Sequence, residues 1–321
     1  MGGAAMFAFP VMLVAFSILS EVGSFEDVRI RQQQQLAHPG AQSAQSVIST
    51  TPDGHIRCGT VIPNIDKDKD RRKLAQKTDC SMDVTNPLQE YSPASGPIYR
   101  INTVVHVITD GANGAISQAC INSGMAWLNR DFRATAGSKA ANSVDTRIEF
   151  VLVDTKYHDN ADWLNQDHDT EGGFWTAADT DRYMNIFIKT PPGGILGQAN
   201  LAQYAGWGGA DGITVGTSVW GDCATSTMYH QGATATHEVG HYLGLLHTFN
   251  QGQCIAGDIN QGSPPGCNVM GDLICDTEPE ASPVYDCDSR GTCDQRDPIH
   301  NFMDCPCMTS NHSVASCISD L

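Results

Sequence analysis

The stretch His237-Glu238-Val239-Gly240-His241-Tyr242-Leu243-Gly244-Leu245-Leu246-His247 limits the possible folds of this chain more than any other. On an α-helix, residues four apart share a face, so His237 and His241 present both imidazoles to one side, with Glu238 beside them. His247 cannot join them on the same helix. Six residues beyond His241, a continuing helix has advanced about 9 Å and turned by about 240°. Either the histidines are unrelated, each satisfied on an apolar-faced helix, or the helix ends and the chain folds back. Gly244 stands where such a reversal costs little, because glycine tolerates positive φ. Only the second arrangement accounts for Glu238, Gly244 and His247 at these spacings. Three neutral imidazoles with water in a fourth position describe a catalytic zinc, whereas a structural zinc is closed by four protein ligands. Zinc there would acidify its water and polarise a carbonyl. Glu238 would take the proton during attack and pass it to a leaving amine, and the metal would stabilise the oxyanion.

The rest of the chain sets the context for that site. The first twenty residues, MGGAAMFAFPVMLVAFSILS, carry no charge, and their apolar run is too short for a comfortable membrane span. It suits a secretory signal at 1–23, with an uncleaved anchor as the alternative. Twelve cysteines point to an oxidising compartment, although their pairing cannot be read from the sequence. Asn311-His312-Ser313 is a glycosylation sequon available to an exported chain. A net charge of -17 argues against nucleic acid, and no later stretch is apolar for long enough to hold a membrane. Eleven acidic residues against two arginines after His247 imply a solvated segment or one that holds a hard cation.

Residues 25–50 are rich in Gln, Ser and Ala, and 66–77 are densely charged, with Arg71, Arg72 and Lys73 offering a processing site. SPASGP at 92–97 is a linker by composition. Beyond it, 98–108, 146–153, 182–189 and 211–216 predict strands, and 115–132 has apolar residues at helical spacing. After His247 the periodicity fades into Gly, Pro, Asp and Cys. The expected organisation is a signal peptide at 1–23, a pro-segment at 24–96 and one catalytic domain at 97–321. That domain is expected to be α+β, a mixed twisted sheet with an active-site helix and a loop-rich C-terminal subdomain.

With the motif on the page, the eleven residues from His237 to His247 resemble the long zinc motif of the metzincin metallopeptidases. Within that clan the chain resembles the pappalysin-like (cytophagalysin, M43) family, which includes secreted fungal extracellular metalloproteases. The resemblance rests on His247-Thr248-Phe249, the stretch Gly271-Asp272-Leu273-Ile274-Cys275-Asp276-Thr277-Glu278-Pro279, Asn301-Phe302-Met303-Asp304, and TVVHVI (103–108) and YMNIFI (183–188) upstream. It covers most of residues 97–305.

The resemblance implies a zinc endopeptidase acting on extended peptides or proteins and made as a zymogen. Met303 would lie beneath the zinc, its alternative being an ordinary core methionine. Asp272, Asp276 and Thr277 would bind calcium, unless the loop is simply solvated. YMNIFI would line the cleft and hold substrate by main-chain hydrogen bonds. Arg57-Cys58-Gly59-Thr60 would place the Cys58 thiolate on zinc until the pro-segment leaves, unless Cys58 is in a disulfide. The chain departs from the family at Cys305, which stands where relatives have a tyrosine proposed to support the oxyanion. A thiol cannot replace a phenol there, so weakened turnover, or an inactive binding protein on the same scaffold, is the competing reading.

Overall fold

The computed structural model describes residues 56–58, 96–141, 143–165, 179–180, 182–190, 194–201, 211–226, 229, 231–250, 271–272, 274, 277–284, 290–293 and 296–304. Among them, six strands form one sheet: β1 (Ile56–Cys58), β2 (Tyr99–Thr109), β3 (Ile148–Asp159), β4 (Met184–Lys189), β5 (Ile195–Ala199) and β6 (Ile213–Gly216). The helices are α1 (Gln118–Phe132), α2 (Ala161–Asn165) and α3 (Ala233–Tyr242). The sheet order is β1-β5-β6-β4-β2-β3, with only β5 and β6 antiparallel. This is the mixed α+β arrangement expected.

Each element follows from its residues. β4 (MNIFIK) is buried at all six positions, as a strand covered on both faces must be. Its even-numbered Ile186 and Ile188 join Val105 and Val107 of β2 and Ile213 and Val215 of β6 in the main core. Phe187 turns to the opposite face, beside Ile108 and Leu164. α1 begins at Ser117, whose hydroxyl accepts the Cys120 amide, the ordinary way to satisfy a helix's first unpaired donors. Its Ile121, Met125 and Leu128 fall on one face and close over the main core. A disulfide from Cys120 to Cys223 and a hydrogen bond from Trp220 Nε1 to the Cys120 carbonyl (3.1 Å) lock α1 to the segment after β6. Gly124 makes room, since a Cβ there would lie 2.1 Å from the Trp220 ring.

The sequence reading and the structure differ in three respects. β3 runs to Asp159 rather than ending near 153, because its later residues, alternating and charged, suit an exposed sheet edge. β1, β5 and α2 were not foreseen; all three are five residues or shorter. The cleft strand was misplaced. β4 pairs with β2 on one side and β6 on the other, so from Ile186 to Ile188 it is flanked on both sides and is not the open edge to which a peptide would add. β5 occupies the equivalent edge, beyond β6, and its outer side is taken by β1.

Candidate metal centre

α3 packs under β5 and β6, and every residue from Ala233 to His241 is buried. It is anchored one residue before its first histidine. Asp131 of α1 accepts the Thr236 hydroxyl (2.7 Å) on one carboxylate oxygen and the Ser138 hydroxyl (2.6 Å) on the other. Burial raises the Asp131 pKa despite both hydrogen bonds.

The helix ends in a Schellman turn. The Gly244 amide donates to the His241 carbonyl (2.8 Å) and the Leu245 amide to the Gly240 carbonyl (3.0 Å). Gly244 itself has φ 104°, a conformation L side chains rarely adopt. The reversed chain then carries His247 back beneath the helix. The three Nε2 atoms form a nearly equilateral triangle: 3.1 Å from His237 to His241, 3.1 Å from His237 to His247, and 3.0 Å from His241 to His247. His247 is stacked on Phe249, ring centroids 4.5 Å apart.

The outward-facing nitrogens fix the tautomers of two rings. His237 Nδ1 donates to the Phe302 carbonyl (2.6 Å) and His241 Nδ1 to the Leu245 carbonyl (2.8 Å). A carbonyl only accepts, so both Nδ1 atoms carry the proton and both Nε2 atoms are bare lone pairs. Two acceptors 3.1 Å apart cannot satisfy each other; they call for a cation between them. Zn–N bonds of about 2.0–2.1 Å at tetrahedral angles require nitrogens roughly 3.3 Å apart, close to the observed triangle. Burial lowers the His241 pKa to about 4, keeping the ring neutral, the form a metal needs. The donor set therefore fits a zinc ion.

Met303 lies directly under α3. A Cβ on Gly240, between the two helical histidines, would come within 2.4 Å of its Sδ, so the missing side chain is what admits the thioether. The turn holding Met303 is tied to both ends of the motif: Phe302 accepts from His237, and the Thr248 amide donates to the Met303 carbonyl (3.3 Å). Behind it lie two buried carboxyls the sequence reading did not single out for a role, Glu280 and Asp304. Glu280 accepts the Thr248 hydroxyl, and its amide returns to the Thr248 carbonyl (3.3 Å). Burial, then the charge of Asp304, pushes the Glu280 carboxyl well above the usual carboxylate range.

Cys58 arrives on β1. It is buried, is not in a disulfide, and groups with His237, His241 and His247 so that all four ligand atoms lie within 4.8 Å of one another. Its thiol donates to Glu238 Oε2 at 3.7 Å. Asp272 and Thr277 lie apart from this cluster: Asp272 accepts the Ile274 amide (2.9 Å), and the Thr277 amide donates to the Ile274 carbonyl (3.2 Å). Asp276, Cys305 and Asn311 lie outside the described residues, as do residues 1–23, where a signal peptide is expected.

Residues 165–315 match the M43 peptidase model described as pregnancy-associated plasma protein-A. An extracellular metalloprotease of Pyricularia oryzae is 34% identical over 214 residues, covering 64% of this chain and 66% of that protein. One from Arthroderma gypseum is 32% identical over 235 residues, 68% of this chain and 67% of its own. One from Colletotrichum graminicola is 28% identical over 277 residues, 83% and 85% of the two chains. Among solved structures, mirolysin in complex with a compound superposes with a TM-score of 0.54 at 22% identity, over 70% of this chain and 90% of its own. A mutant promirolysin of Tannerella forsythia gives 0.53 at 20% identity, over 81% and 92%. At those identities the structural match speaks for the fold.

Proposed function

This chain belongs to the M43 peptidase family, and from that premise we propose that it is a zinc endopeptidase made as a zymogen and cleaving extended peptides. It is secreted, as its extracellular relatives are. The observation that carries the catalytic reading is the pair of lone pairs that His237 and His241 turn toward each other at 3.1 Å, with Glu238 buried beside them. His237, His241 and His247 would hold the ion. Zinc so held supplies a Lewis acid that makes water a nucleophile at neutral pH and polarises the scissile carbonyl.

The remaining work falls to the chain. Glu238 takes the proton of the attacking water and returns it to the leaving amine. The Cys58 thiol, beside the three imidazoles and 3.7 Å from Glu238 Oε2, supports this role: a group lying where Cys58 lies is within reach of that carboxylate. Met303 keeps the imidazoles on a dry, packed base.

The same contact supports latency. A thiolate is a strong zinc ligand and would exclude water. β1 also pairs in parallel with β5, Cys58 opposite Gly197, so the segment that brings the thiol also covers the sheet edge an extended substrate would use. We divide the chain into a signal at 1–23, a pro-segment at 24–96 and a peptidase at 97–321; removal of the pro-segment would uncover edge and zinc together. Calcium at Asp272, Asp276 and Thr277 is a separate proposal, tested by whether added calcium raises the melting temperature.

Glu238→Gln tests the central claim. With the pro-segment removed, the variant should keep its zinc and lose cleavage of a complex peptide mixture. Undiminished cleavage by the variant, or none by the parent protein with zinc bound, would sink the peptidase reading and leave a binding protein on a peptidase scaffold.

A further inference from the structure

Gly197 lies in the middle of β5, paired to Val215 of β6 on one side and to Cys58 of β1 on the other. Glycine weakens a strand and in such a place marks a bulge, a bend or a close approach. The β5–β6 register runs on without a shift through Gly197, Gln198 and Ala199, so there is no bulge. Its φ lies outside the positive range that would exclude L side chains. Backbone conformation thus gives no reason for glycine here, and space gives a strong one. A Cβ on residue 197 would stand 2.7 Å from Glu238 Cγ, 2.8 Å from Glu238 Oε1 and 2.9 Å from Thr234 Cγ2. All three separations are shorter than carbon and oxygen atoms tolerate without moving.

We propose that Gly197 is a positioning residue for the general base: its bare Cα is the floor on which the Glu238 carboxylate rests, and that floor sets the carboxylate's place relative to the three imidazoles. The inference rests on the peptidase reading for its catalytic consequence, though not for its geometry. What would yield to a methyl group can be foreseen. β5 is held by β6, and Thr234 is fixed on a buried helix. The Glu238 side chain is the movable member, since its torsions can swing the carboxylate aside. The displaced group would be the one that must stay within hydrogen-bond reach of the attacking water. The three atoms nearest this Cβ belong to Glu238 and Thr234 and none to a histidine, so the carboxylate should be displaced before the imidazoles are.

The test is Gly197→Ala in the full chain, activated as the parent is. Misplacing a reacting group by up to an ångström costs up to about 100-fold, so kcat should fall by roughly 10- to 100-fold, with KM within about twofold and zinc content unchanged. A crystal structure of the variant, which needs no activity, should show the carboxylate moved and the imidazole triangle preserved. In the Glu238→Asp background, whose carboxylate is drawn back by one methylene, the alanine should cost little more. Parent-like kcat with the carboxylate unmoved, or loss of zinc together with activity, would overturn the proposal. Should Gly197→Ala not fold, recovery of folded protein in the Gly197→Ala/Glu238→Asp double variant supports it, and failure of both rejects it. A carboxylate that moves in a protein whose parent cleaves nothing keeps the geometric claim and discards the peptidase reading.

Discussion

Two clusters of histidines, one on α3 and the turn after it and one within the sheet, differ in hydrogen-bond polarity. In the first, His237 and His241 spend their protons on backbone carbonyls and turn bare nitrogens toward each other and toward His247. In the second, on β2, β3 and β4, everything is matched. Asn185 Nδ2 donates to the Tyr183 carbonyl (3.3 Å), which leaves its Oδ1 to accept from His106 Nε2 (3.1 Å). His106 Nδ1 must then be the acceptor of His158 Nε2 (2.9 Å). The chain of donors runs head to tail and needs no ion. Burial alone does not distinguish a ligand histidine from a structural one; the direction of the protons does.

The largest effect should come from breaking the first cluster. His237→Ala or His241→Ala removes one of three protein ligands and should weaken zinc binding by on the order of 100-fold or more. Metal analysis after dialysis should find substoichiometric zinc, and peptide cleavage should fall in parallel. A chelator should lower the parent's melting temperature, because an ion bound only to the folded state stabilises it. An unchanged melting temperature after verified zinc removal would mean that the bare nitrogens do not need the cation.

The second cluster should answer to pH rather than to metal. Burial lowers His106 to about 4 from an ordinary value near 6.5. The folded protein therefore disfavours the charged ring, while the unfolded chain takes up the proton as pH falls below about 6.5. Stability should be full above that value and decline toward pH 4, by at most about 3 kcal/mol for this group. Denaturant unfolding at a series of pH values measures it. His106→Phe should flatten that decline while costing about 1–3 kcal/mol at neutral pH, because it strands the Asn185 oxygen and the His158 donor. Its zinc content should match the parent's. Zinc loss in this variant would erase the distinction between the clusters.

The two regions also differ in how much of them the sequence disclosed. The first was legible because the three histidines and Glu238 fall within eleven residues, and because a reversal at Gly244 is the one backbone condition that unites them. The α+β class followed from strands and a helix with clear periods. The cleft edge was misread: YMNIFI is apolar without alternation, the mark of a strand buried on both faces, and that signal was there to be used. β5 was missed because ILGQA is short and contains a glycine whose reason, Glu238, lies far along the chain. Nor could the polarity of the His106 network be read from TVVHVI. It depends on Asn185 and His158, each contributed by a different strand.

The smallest effect should belong to His158, and it probes the comparison most finely. This ring sits on the edge strand β3, only partly buried, against Trp163 with centroids 5.2 Å apart. Its own pKa is lowered, first by burial and then by the charge of Lys156. His158→Gln removes the ring but leaves an amide, one N–H of which can reach toward His106 Nδ1, and the half-buried edge position that the ring vacates would admit water to that nitrogen. The loss should therefore stay below about 1 kcal/mol, since an acceptor that water can reach avoids the full penalty of an unpaired buried group. Equilibrium unfolding of the two variants side by side checks the order. If His158→Gln costs as much as His106→Phe, the pair acts as one unit and the edge ring is as deeply committed as the buried one. If it costs little, the network's stability resides in the His106–Asn185 bond, which already fixes the proton on His106 Nε2, and His158 serves chiefly to satisfy the bare Nδ1.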